Sequence, residues 1–117
     1  MLHLAIPKLP MRNKAATKSY YINQLGFKEV NDYGDYLLLE KDQIELHFFA
    51  HPTLIPEEND GQIYCRVSEI NAWYQELLDK QVAIHPNGKL ENKPWQQREF
   101  SLLDPDNNLL TFGEPIS

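Results

Sequence analysis

Apolar residues recur along the chain with two spacings, and the spacings fall in a repeating order. Period-two alternation marks strands over Lys28–Tyr33, Tyr36–Lys41 and Gln43–Ala50, with tight turns at Tyr33-Gly34-Asp35 and Lys41-Asp42. An extended segment, Leu2–Leu9, bounded by Pro7 and Pro10, precedes them. Between it and the first of these strands, Ala16, Tyr20, Tyr21 and Leu25 lie on or near one helical face. The spacing predicts a helix over Lys14–Leu25, capped by Asn13 and stopped by Gly26. The second half repeats the order. Gln62–Val67 is extended, and Ile70, Trp73, Tyr74 and Leu77 predict a helix capped by Ser68. Strands then follow at Val82–His85, Arg98–Leu103 and Leu109–Gly113. Asp104-Pro-Asp-Asn-Asn108 is turn chemistry, because proline presets φ and Asp or Asn tolerates left-handed backbone. The order is β-α-β-β-β twice, an α+β class in one domain, 1–117, with modules at about 1–53 and 61–117. A ferredoxin-like β-α-β-β-α-β leaves at least one strand unused.

Alternation also sorts the faces. On the fourth strand Ile44, Leu46 and Phe48 share the side suited to packing, opposed by Glu45, His47 and Phe49. On the strand opening the second half, Ile63, Cys65 and Val67 are opposed by Gln62, Tyr64 and Arg66. Faces that mix aromatic with polar groups suit a wet ligand surface better than a core. Trp95 stands in a loop with Pro94, Gln96 and Gln97, where a rigid sheet can present it to a ligand. Trp73 fits the apolar stripe of its helix and reads as core.

Composition narrows the classes. With 42% hydrophobic and 24% charged residues, the chain has an ordinary globular balance. No apolar run approaches the length of a membrane span, and the N-terminus lacks a leader-like pattern. Cys65 is the sole cysteine, so no intrachain disulfide forms and a cytoplasmic location is expected. A net charge of −6 disfavours nucleic acid and suits a cationic ligand. Glu57, Glu58 and Asp60, in the loop between the halves, add local negative charge. His3, His47, His51 and His85 are scattered; only His47 has a carboxylate, Glu45, two residues away on its own face. Cys65 has no evident base, and no Gly-rich phosphate loop or G-x-S-x-G elbow occurs.

Four segments carry a family resemblance: Ala5–Pro10 leading to Tyr20-Tyr21 and Leu25-Gly26-Phe27; Glu45–Pro52; Pro94-Trp95 with Arg98-Glu99-Phe100; and Asp104-Pro-Asp with Leu110 and Phe112. In that order the chain resembles the vicinal oxygen chelate superfamily, and within it the bleomycin resistance proteins. The resemblance implies a curved mixed sheet, a homodimer with ligand clefts at the interface, an N-terminal strand exchanged between subunits, and sequestration of a cationic antibiotic without chemical change. Its aromatic contact positions fall on Tyr36, Tyr64 and Trp95, beside which Glu45, His47, Phe49 and Arg66 complete the expected ligand set. The metal positions of superfamily enzymes fall on Ile6, Glu45, Gln62 and Thr111, of which only Glu45 is a good ligand. No metal or other cofactor is therefore expected. The alternatives are a lyase or dioxygenase in which Glu45 and His47 recruit another ligand, and a binder of some other planar metabolite.

Overall fold

The computed structural model describes residues 1–117 and arranges eight strands in two four-stranded mixed sheets. In chain order the elements are β1 (Lys8–Met11), α1 (Lys14–Lys18), a π-helical turn (Ser19–Gln24), β2 (Lys28–Asp32), β3 (Tyr36–Lys41) and β4 (Ile44–Ala50). A 3₁₀ turn (Pro56–Glu58) leads to β5 (Gln62–Arg66), α2 (Ile70–Asp79), β6 (Glu91–Lys93), β7 (Gln97–Leu103) and β8 (Leu109–Pro115). The first sheet runs β1-β4-β3-β2 and the second β5-β8-β7-β6, so both halves are wound the same way. In each, the opening strand is parallel to the closing one and the other pairs are antiparallel. The β-α-β-β-β repeat read from the sequence is the observed topology.

Both halves contribute to one cluster of sixteen buried apolar residues. Leu37, Leu39, Leu46 and Phe48 enter it from the first sheet, Phe100, Leu102 and Leu110 from the second, and Ile70 and Leu77 from α2. Tyr21 lies at its centre with no exposed surface, its ring 4.7 Å from Phe48 and 5.6 Å from Phe27. Trp73, expected in the core, is half-buried: it packs edge-on to Phe112, and the Lys41 ammonium lies 5.2 Å from its ring.

Several boundaries differ from the sequence reading. The opening strand is Lys8–Met11, not Leu2–Leu9; Leu2 and Leu4 stand fully and three-quarters exposed in an arm ahead of it. Pro10 is tolerated inside the strand because β1 is a sheet edge, and its missing N–H falls on the unpaired side. The first helix loses α geometry after Lys18, where Leu25 N–H donates to Tyr20 C=O across five residues. Ser68 does not cap α2. The cap position is Glu69, in left-handed backbone at φ +55°, and the Glu114 carboxylate of β8 accepts from Glu69 N (2.9 Å) and Ile70 N (3.2 Å). Val82–His85 is not a strand. Pro86 and Asn87 turn the chain there, and its backbone bonds β7 at Ser101, by His85 N to Ser101 O and Ser101 N to Gly88 O. The sixth strand is the short Glu91–Lys93. Ile44, expected to pack, is partly exposed at the end of β4.

The Asp104–Asn108 turn joins the halves. Asp104 accepts four hydrogen bonds: from Tyr21 Oη (2.7 Å) and Asn108 Nδ2 (2.8 Å) at one oxygen, and from Asp106 N and Asn108 N at the other. Asn108 Nδ2 also donates to Pro10 O, while Asp106 Oδ1 accepts from Arg12 N and Arg12 Nε. The turn of the second half thereby caps the open edge of β1, which sets one sheet relative to the other. Burial holds the Asp104 carboxyl above its ordinary value despite these donors.

Candidate functional site

The residues expected to meet a ligand fall in two sets, one on each sheet, on the faces turned away from the core. On the first sheet Tyr36, Leu38 and Glu40 of β3 lie opposite Phe49, His47 and Glu45 of β4, and Lys8 and Pro10 of β1 continue the rows. Three of these side chains form a line. Glu45 Oε2 lies 2.5 Å from His47 Nε2, and His47 Nδ1 lies 2.7 Å from Tyr36 Oη. A carboxylate only accepts, so Nε2 carries a proton, and Nδ1 shares the second hydrogen bond with the tyrosine hydroxyl, which can donate or accept. The line holds Tyr36 in place with one ring face toward the Lys8 ammonium, 5.4 Å from the centroid. Phe49 is half-buried beside it.

On the second sheet, Tyr64 lies opposite Thr111, which in turn lies opposite Ser101 with the two hydroxyls 3.0 Å apart, while Arg66, Gly113 and Glu99 form the next row. Tyr64 does not stand upright over its own strand. Its ring crosses β8 above Gly113, where an added Cβ would meet Tyr64 Oη at 1.9 Å, and reaches Glu99 on β7. Glu99 Oε2 accepts from Tyr64 Oη at 2.7 Å and from Trp95 Nε1 at 2.9 Å. Glu99 is 7% exposed, whereas Tyr64 is 48% and Trp95 60% exposed. Two open rings are thus tied to one buried anchor. Burial and then the bond to Glu99 raise the Tyr64 phenol above its ordinary value. Arg66 stacks its guanidinium 5.3 Å from the Tyr64 centroid and bonds Gln97.

The structure therefore brings together Tyr36, His47 and Glu45, and separately Tyr64, Arg66 and Trp95; no hydrogen bond, ion pair or ring contact links the two sets. Glu57, Glu58 and Asp60 belong to neither set. Glu57 and Asp60 border a depression of about 270 Å³ with Gln62 and His85. A groove of about 610 Å³ lies between the β3–β4 turn and the start of α2 and shares only Arg66 with the expected set. It contains Cys65, whose thiol burial pushes up, away from the reactive thiolate. We place the candidate site on the ring-bearing sheet faces, because exposed aromatics with fixed hydrogen bonds are the features that recognise ligands.

Two residues of this arrangement escaped the sequence reading. Alternation puts Glu99 opposite Phe100 and Leu102, but its burial depends on rings from two other segments. Gly113 gave no signal, because its small size matters only once β5 and β8 are paired.

The metal positions of superfamily enzymes do not fit an ion here. Ile6 has no donor atom, Glu45 is engaged by His47, and Thr111 bonds Ser101. No three His, Cys, Asp or Glu side chains gather as a ligand set.

The family model described as a glyoxalase-like domain matches residues 4–117. The chain belongs to that family. This glyoxalase-like protein is 27% identical to a bleomycin resistance protein of Geobacillus stearothermophilus, over 96% of each chain. It is 29% identical to one of Klebsiella pneumoniae, over 94% of this chain and 90% of the relative. Among solved structures it superposes on a bleomycin resistance determinant encoded on transposon Tn5 with a TM-score of 0.88, at 26% identity over 97% and 98% of the two chains. A bleomycin-binding protein complexed with bleomycin gives 0.87, again at 26% identity over 97% and 98%. No helix of this glyoxalase-like chain is long and apolar enough to cross a membrane.

Proposed function

We propose that this chain is a homodimeric binding protein that sequesters bleomycin-type antibiotics and leaves them chemically unchanged. The observation that carries the reading is the pair of open rings, Tyr64 and Trp95, fixed on buried Glu99. Ring stacking contributes about 0.5–1.5 kcal/mol per contact beyond area burial, so a flat heterocycle needs several rings. Tyr36 on the other sheet supplies a third, oriented by His47. A net charge of −6 favours encounter with a cation. Relatives named for bleomycin resistance, and the neighbour bound to bleomycin, support the choice of drug.

A dimer accounts for two otherwise costly features. The Met1–Ile6 arm carries exposed Leu2 and Leu4, an apolar surface that a second copy would cover. The two ring sets also lie on different sheets of one chain, and pairing of copies would let one chain's set face the other's across a cleft. As a binder, the protein would act without turnover and in the cytoplasm.

The test is a bleomycin titration followed by tryptophan fluorescence, with the drug recovered and weighed by mass spectrometry. Saturable quenching that Trp95→Ala abolishes, with drug of unchanged mass, supports sequestration. Absent quenching and absent heat of binding, or a drug of altered mass, would overturn it.

A further inference from the structure

The proposed ligand face contains a charge with no counter-ion. Glu99 is among the most buried polar residues of the chain, yet it takes part in no salt bridge. Its donors, a phenol and an indole, are both neutral, and both reach the same oxygen, Oε2. Oε1 accepts no hydrogen bond. The sole sealed side-chain polar atom without a partner is Tyr20 Oη, so Oε1 keeps contact with open surface. The cations of that face are engaged elsewhere: Arg66 with the Tyr64 ring and Gln97, and Lys93 with Glu91, which lies opposite Glu99 on β6. A buried anion satisfied only by neutral donors leaves much of its attraction for a cation unused.

Resting on the reading of this face as a binding site, we propose that Glu99 Oε1 is a specificity determinant that accepts an ammonium or guanidinium donor from a ligand whose flat ring stacks on Tyr64 and Trp95. The rings read shape and the carboxylate reads charge. Both rings being hydrogen-bonded to Oε2, the second oxygen is held in a fixed direction, so a ligand meets a preorganised acceptor. Gly113 makes the arrangement possible, since any side chain there would drive Tyr64 off the carboxylate.

The probes are two small bithiazoles alike except for the tail, one ending in a primary ammonium and the other in its neutral N-acetyl amide. The wild-type protein is expected to bind the ammonium probe about tenfold or more tightly than the amide, the range of one charge-assisted hydrogen bond. Glu99→Gln, which keeps an oxygen for the two ring donors, should bring that ratio close to one. Gly113→Ala should weaken both probes and leave the ratio above one. On the wild-type protein itself, the Trp95 indole N–H resonance should shift more with the ammonium probe than with the amide, with Trp73 as the internal reference. A ratio near one in the wild type, or a ratio that survives Glu99→Gln, overturns the assignment. Bleomycin, titrated in parallel, separates the two claims. Drug binding with no probe discrimination sinks the role of Glu99 alone, and probe discrimination without drug binding sinks the antibiotic reading alone. Binding of neither sinks both.

Discussion

Replacing Tyr21 by Phe removes one hydroxyl from the hub that joins the two halves. The ring stays fully buried against Phe27 and Phe48, so packing is nearly conserved and the change isolates a hydrogen bond. Asp104 Oδ2 then keeps only Asn108 Nδ2, at 2.8 Å. A hydrogen bond to a charged group contributes about 1.5–3 kcal/mol. Unfolding entropies of about 2.1 cal/mol/K per residue imply about 4 °C of Tm per kcal/mol for a chain of this size, hence a fall of about 6–12 °C. The pH dependence gives the sharper check. Burial raises Asp104 in the folded state, and the Tyr21 bond pulls it back down. A raised folded value means the native state binds the proton more tightly, so stability from this group is present at low pH and lost as pH rises above the ordinary 3.8. Without the hydroxyl that loss grows. Urea denaturation should therefore show Tyr21→Phe most destabilised near neutral pH, with the gap narrowing in acid. A deficit under about 0.5 kcal/mol at neutral pH, or one independent of pH, would refute the claim that this bond serves an ionised carboxylate.

Other consequences can be measured directly. Glu114→Ala strips the cap from α2 and should cost about 1 kcal/mol by urea denaturation, with little loss if α2 is capped by solvent alone. Asp32 behaves oppositely to Asp104. Lys18 and Lys14 hold it below its ordinary 3.8, so its contribution is present above that value and lost as pH falls below it. Asp32→Asn should flatten the acid limb of the stability profile, and an unchanged limb would show that solvent screens the pair. Deleting Met1–Ile6 should convert dimers to monomers by light scattering and weaken bleomycin binding with them; a truncated protein that stays dimeric removes the arm from the interface.

What could be read in the residues alone was whatever depends on near neighbours. Alternation over Tyr36–Lys41 and Ile44–Ala50 determined the faces, so Glu45, His47 and Phe49 could be set apart from Leu46 and Phe48 before any strand was paired. Turn chemistry at Asp104–Asn108 determined where the closing hairpin reverses. The sequence also determined that Ile6 cannot hold an ion. It misplaced the sixth strand: the Val82–Ile84 apolar run has the right residues but packs on the core, and only His85 and Gly88 bond β7, at Ser101. Tertiary structure alone decided what meets across the sheets: Tyr64 lying over Gly113 onto Glu99, Glu114 capping a helix that Ser68 was expected to cap, and Asp104 gathering Tyr21 and Asn108 beneath β1. The reason is register. Side-chain direction follows from a residue's own backbone, whereas its partner depends on which residue of a strand distant in sequence comes to lie opposite.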